Sequence, residues 1–169
     1  MSSHGAITAA IQHVRTTLEA ALDPYKWPLL KADNPFQKWN ILAATRRTGY
    51  GIVSWKSDSA VAQARRALVV KARIVVTLCA RMDTAAPAVG KIVQPADETA
   101  PALFEIHDRI KGAMLAMTMP TDIVPEPGAE VAAYLGSQSL TMPDGMPLDG
   151  IEQTWEIELV ETFSPANTE

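Results

Sequence analysis

The sequence predicts an α+β fold: a mostly antiparallel β-sheet with two helices packed on one face and a projecting β-hairpin or arm. Three observations carry that expectation. Segments 6–22 and 99–117 repeat apolar residues at three- and four-residue steps, the signature of amphipathic helices. The stretch 68–82, "LVVKARIVVTLCARM", alternates apolar and mixed positions over fifteen residues. The stretch 151–163, "IEQTWEIELVETF", alternates again, with Trp155, Ile157, Leu159 and Phe163 on one parity and Glu152, Thr154, Glu156, Glu158 and Thr162 on the other.

The first helix places Ile7, Ala10, Ile11, Val14, Leu18, Ala21 and Leu22 on one face. Ser2 or Ser3 is available to cap its start, and Asp23-Pro24 ends it, because a residue before proline is pushed out of the helical region. His13 lies beside that stripe and reads as a solvated histidine. Residues 24–38 carry three prolines, which excludes a long regular element, yet Tyr25, Trp27, Leu29, Leu30 and Phe36 make the stretch too apolar for a plain linker. "WNILAAT" (39–45) and "YGIVSW" (50–55) read as two strands joined through "RRTG". Gly49-Tyr50-Gly51 lacks the third glycine and following helix of a nucleotide cradle, and reads as a turn.

The β-branched content of 68–82 favours strand over helix. Fifteen residues at about 3.3 Å each reach roughly 50 Å, whereas strands in compact domains usually stop at about ten residues. The expectation is therefore a β-arm within 60–82 that leaves the body, with "SDSAVAQARRA" (57–67) as the other side of a hairpin. The second helix follows, with Thr99 as cap, Pro101 in its first turn, and Leu103, Ile106, Ile110, Ala113, Met114 and Met117 facing inward. Gly112 either weakens that helix or permits close approach of a sheet. Residues 118–150 form a long Pro/Gly-rich loop with room for one short strand in "AEVAAYLGSQSLTM", and 151–163 closes the fold. The inward set is Ile7, Ile11, Val14, Leu18, Ile106, Ile110, Met114, Trp155, Ile157 and Leu159.

Residues 1–169 fit one domain, and a hydrophobic fraction of 47% argues against wholesale disorder. No apolar run approaches the roughly 20 residues of a membrane span, and the first 22 residues lack the charged-then-apolar layout of a secretory signal. The single cysteine, Cys79, leaves neither an intramolecular disulfide framework nor a cysteine metal cluster. Net charge is −4, unevenly spread: residues 26–91 hold twelve Lys and Arg against three Asp, and residues 92–169 hold two basic residues against fourteen acidic ones. Such asymmetry means pairing within the fold, pairing between subunits, or an anionic partner for the basic part.

Motifs for chemistry are absent: no phosphate loop, GxSxG elbow, HExxH or CxxC occurs. His107-Asp108 supplies only two of the ligands a metal site needs, and reads as a helix-surface histidine beside an acid. Cys79 has no base near it in sequence and reads as a strand filler. Glu156 and Glu158, about 7 Å apart on one strand face, read as solvated carboxylates rather than an acid–base pair. No catalytic, cofactor-binding or metal-ligating residue is assigned, no cofactor is expected, and the chain does not read as an enzyme, a small enzyme without a recognisable motif being the trailing alternative. Arg46, Arg47, Arg65, Arg66, Lys71, Arg73 and Arg81, with Trp39 and Trp55, would suit a nucleic acid in composition, but no nucleic-acid motif surrounds them and the chain is acidic overall.

The helix "AITAAIQHVRTTLEAAL", the long strand "LVVKARIVVTLCARM", the second helix "ALFEIHDRIKGAMLAM" and the closing strand "TWEIELVETF" together resemble the tail terminator proteins of long-tailed bacteriophages. The resemblance is one of layout and covers most of the chain outside 24–38 and 118–150. It implies a virion protein, made in the host cytoplasm, that forms a homo-oligomeric ring, commonly of six subunits. Such a ring caps the tail tube, ends its polymerisation and meets the head connector, while DNA passes through the lumen without specific binding. Related neck and tail-completion proteins share that layout. A head-to-tail ring uses two different patches per subunit, and these can be oppositely charged. The interface set expected on that ground is Arg46, Arg47, Trp55, Arg65, Arg66, Lys71, Arg73, Arg81, Glu156 and Glu158. The acidic face of 151–163 then meets a neighbour's arginines, lines the channel for DNA, or is neutralised within its own chain.

Overall fold

The computed structural model describes residues 5–25, 27–31, 49–81, 103–124, 132–140 and 148–163. Helix α1 spans Ala6–Leu22, strand β1 Gly49–Ala64, β2 Ala67–Arg81, helix α2 Leu103–Ala116, β3 Ala133–Ser139 and β4 Leu148–Thr162. The four strands form one antiparallel sheet in the order β1-β2-β4-β3. Both helices pack on one face of it, so the α+β expectation holds.

That face is built by alternation. Val70, Ala72, Ile74, Val76 and Leu78 of β2 lie opposite Leu159, Ile157, Trp155, Gln153 and Ile151 of β4, and all ten are buried. The helices cover them with Ala6, Ala10, Val14, Leu18 and Leu22 from α1 and Leu103, Ile106, His107, Ile110 and Met114 from α2. The α1 row advances in strict steps of four, so small Ala6 and Ala10 take the inward places and Ile7 and Ile11 are only partly buried against the core. The other eight expected core residues are buried.

Helix α1 starts at Gly5 without a side-chain cap, and Ser2 and Ser3 lie outside the described residues. It stops at Leu22, where Asp23-Pro24-Tyr25 tighten into a 3₁₀ turn. The segment after that turn crosses the start of β1: the Gly51 N–H donates to the Pro28 carbonyl and the Leu30 N–H to the Gly51 carbonyl, both at 2.8 Å. Gly49 and Gly51 make this possible. A Cβ on Gly49 would collide with the Trp27 ring, and one on Gly51 would sit 2.7 Å from Leu29 Cδ2. Gly49-Tyr50-Gly51 is therefore strand rather than turn, bare on one side so that Trp27 and Leu29 can lie on it.

Strand 50–55 is the beginning of β1, which continues through "SDSAVAQA" and pairs with β2 across a two-residue turn at Arg65-Arg66. The expected partner strand 39–45 lies outside the described residues, as do Thr99 and Pro101. The stretch 68–81 does not leave the sheet. β2 is its second strand and pairs residue by residue from Ala67↔Thr162 to Arg81↔Leu148, while β1 flanks its other edge. The length that pointed to an arm is absorbed by neighbours of matching length, since β1, β2 and β4 have 16, 15 and 15 residues. From Trp55 onward most of β1 is exposed, while β2 stays with the core to Val70 and Leu68 packs against it. The expected short strand within 118–150 is β3, and β4 begins before that loop was expected to end.

Candidate interaction surface

The expected interface residues fall into two groups, and the structure separates them. Lys71 and Arg73 occupy the sheet face opposite the helices, and in the β2–β4 register they stand across from Glu158 and Glu156. Lys71 Nζ lies 3.6 Å from Glu156 Oε1, and Arg73 Nε lies 3.5 Å from Glu156 Oε2. Lys56 of β1 reaches Glu152 at 4.0 Å, and Gln138 of β3 donates a 3.3 Å hydrogen bond to the same carboxylate. The acidic strand face is thus interleaved with cations of its own chain. Glu156 is met by two cations of the adjacent β2 and Glu152 by Lys56, which reaches across β2 from β1, so the demand that a second subunit neutralise Glu156 falls away.

The second group remains outward. Trp55 is 50% exposed on β1, Arg65 and Arg66 are exposed in the hairpin turn, and Glu158 is exposed on β4. Arg81 closes β2, and Arg46 and Arg47 lie outside the described residues. Sequence reasoning missed the partners of these residues: two strand edges. Among the described residues no strand pairs with the outer edge of β1 beyond the bridge at Leu29–Gly51, or with the outer edge of β3. Val61 on β1 and Tyr134 and Leu135 on β3 are exposed apolar side chains along those edges. The small, polar run "SDSAVAQA" was the available signal, because a strand with so little to bury is an edge.

A polar cluster beneath β3 was also missed. His107 is 2% exposed, not on the helix surface. Its Nδ1 pairs with Asp108 Oδ1 at 3.2 Å and its Nε2 with Ser137 Oγ at 3.0 Å, and Tyr134 OH meets the same Oγ at 2.7 Å. Gln153, fully buried, donates to the His107 carbonyl at 2.8 Å and accepts from Trp155 Nε1 at 3.0 Å. Burial lowers the His107 pKa, with Asp108 opposing and Lys111 adding to the shift, so the imidazole is held neutral. Carboxylate, imidazole and hydroxyl stand in the order of an acyl-transfer triad. In such a triad the carboxylate is buried, where its charge steadies an imidazolium; the Asp108 side chain is 73% exposed, and water screens it. The cluster instead clasps α2 to the β3–β4 hairpin. His13 makes a similar tie, meeting the Thr118 carbonyl through Nε2 at 2.6 Å.

Cys79 is fully buried opposite Tyr50 on the sheet face away from the helices. Burial pushes its thiol up to about 11, so at neutral pH it is a protonated filler. Burial raises the Tyr50 hydroxyl as well. Among the described residues no group of three or more His, Cys, Asp or Glu is placed to hold a metal ion, and no helix is long and apolar enough to cross a membrane. No protein-family model matches the chain, and no curated protein matches it.

Proposed function

We propose that this chain is a structural protein of a long-tailed bacteriophage virion, a tail terminator whose ring caps the tail tube and joins it to the head connector. The observation that carries the reading is the architecture beside the sequence layout. Two helices cover one face of a four-stranded antiparallel sheet, and the long edge strand β1, whose outer edge is met, among the described residues, only at Leu29–Gly51, carries the exposed Trp55. Among the described residues the buried His107, Gln153 and Trp155 are tied to one another or to neighbouring strands, and the buried Cys79 thiol is protonated. That is the profile of a part that works by shape and contact.

The test is assembly on a tube. Purified protein added to isolated tail tubes should appear in electron micrographs as a ring on one end, and tubes grown with it present should stop lengthening. Tubes that ignore the protein overturn the reading. Binding to the head connector with no contact to the tube would assign the chain to the neck or adaptor proteins instead.

A further inference from the structure

We infer that copies of this chain join head to tail by strand pairing, the outer edge of β1 in one subunit adding to the outer edge of β3 in the next, the two edges that no described strand covers beyond the bridge at Leu29–Gly51. The inference deepens the ring reading above and rests on it for the biological setting, but its argument is topological. An antiparallel sheet with an even number of strands has edge strands that run in opposite directions. Among the described residues the order is β1-β2-β4-β3, and β1 and β3 are those strands. A second copy placed beside the first in the same orientation therefore sets its β1 antiparallel to β3. It also keeps both pairs of helices on one side of the combined sheet. The all-antiparallel pattern continues across the boundary, and the contact is heterologous, the kind that closes into rings.

The two edges match in detail. β1 carries irregularities between Trp55 and Ser57 and between Ala60 and Ala62, leaving Ser57–Ala60 as a regular run. β3 has one between Tyr134 and Gly136, leaving Gly136–Ser139. The side chains of both runs are small or polar, so a backbone can approach closely. Each run is flanked by exposed apolar groups, Trp55 and Val61 on one edge and Tyr134 and Leu135 on the other. Bulges commonly protect strand edges from indiscriminate pairing. Here they bound Ser57–Ala60 on one edge and Gly136–Ser139 on the other, runs of equal length. Facing also agrees. Asp58 and Ala60 share the helix-covered face with Ser137 and Ser139, while Ser59 and Gln138 share the face away from the helices through their partners Lys71 and Glu152. The register with Ser59 opposite Gln138 keeps every side chain on its own face.

Two single-cysteine additions test this, with the fully buried Cys79 left in place. Ser59→Cys and Gln138→Cys are made in separate chains and mixed under mild oxidation. Opposed residues of paired strands have Cβ atoms close enough to bridge. Disulfide-linked dimers should form in the mixture and in neither variant alone. A dimer from Ser59→Cys alone would reveal two-fold pairing of β1 with β1 and overturn the head-to-tail contact. Oligomers or capped tubes without a cross-link in the mixture would overturn edge pairing and leave the ring reading standing. A cross-link in the mixture with no capping of tubes would keep the pairing and reject the tail assignment. As a second variant, Val61→Lys changes an exposed side chain, should leave the circular dichroism spectrum unchanged, and should weaken self-association at least tenfold; unchanged association counts against the inference.

Discussion

Glu156 is the carboxylate that Lys71 and Arg73 share on the sheet face away from the helices, and Glu156→Lys is the sharpest perturbation of that ladder. The wild-type side chain is 20% exposed and holds Lys71 and Arg73, which are 43% and 52% exposed. Bare Coulomb energy at about 3.5 Å is roughly 1 kcal/mol per pair in water and several times that near a protein surface. Exposed pairs measured in proteins retain about 0–1 kcal/mol after side-chain entropy and screening, and the half-exposed cations belong in that range. Reversal removes two attractions and creates two repulsions across adjacent strands, each worth about 0.2–1 kcal/mol. The expected loss is about 1–3 kcal/mol. Urea denaturation in about 0.05 M and 1 M NaCl measures it, urea being uncharged. At 1 M the Debye length falls to about 3 Å, so roughly half of the loss should disappear. A variant as stable as wild type at low salt would refute the claim that the ladder neutralises this face. So would a variant of normal stability that fails to assemble, because Glu156 would then serve a neighbour.

Three further outcomes follow from the packing. Ile110→Ala removes a fully buried side chain between α2 and the sheet and should cost about 2–5 kcal/mol by urea titration. Gly112→Ala should raise stability by about 0.5–1 kcal/mol in the same assay, because an added Cβ meets nothing within 4 Å and the position is interior to α2. Acid should weaken the fold through His107. Its folded pKa is lowered, so the unfolded chain takes up that proton first; the stabilisation is complete above about 6.5 and is lost as pH falls through the folded value. A stability–pH profile of His107→Gln should lack that component.

The alternation of β2 and β4 and the stripes of both helices were legible because side-chain periodicity is local. Long-range pairing was not. The length of 68–82 suggested departure from the body, since nothing in a single strand announces that β1 and β4 are equally long. Likewise, the link from Glu156 to Lys71 and Arg73 depends on a register across some eighty residues of chain, so a neutralised face and an interface face look alike in sequence. His107 was misplaced for a different reason. The steps from Leu103 to His107 to Ile110 to Met114 put it on the buried stripe, but its polarity argued for water, and the Ser137 hydroxyl that accommodates it comes from a strand thirty residues away. Trp27 over Gly49 was hidden similarly: a glycine in a strand marks a close approach without naming what approaches.

Salt separates the two accounts of assembly that these contacts leave. If subunits were joined by opposite charges, the acids of β4 would have to be free, and raising NaCl would dissociate the oligomer as exposed pairs are screened. In the structure Glu156 is occupied by Lys71 and Arg73 of its own chain, and Glu152 by Lys56 and Gln138. Among the described residues the outward groups include the outer edges of β1 and β3 with Trp55, Val61, Tyr134 and Leu135 beside them. Strand hydrogen bonds carry no net charge, and excluded salts strengthen burial of apolar surface. Self-association followed by sedimentation should therefore hold or tighten between about 0.05 and 1 M NaCl, while the urea midpoint of Glu156→Lys moves toward wild type over the same range. Dissociation of the wild-type oligomer at high salt would return the weight to charge pairing between subunits, through Arg65, Arg66 and the exposed Glu158, and would reject the strand edges as the principal contact.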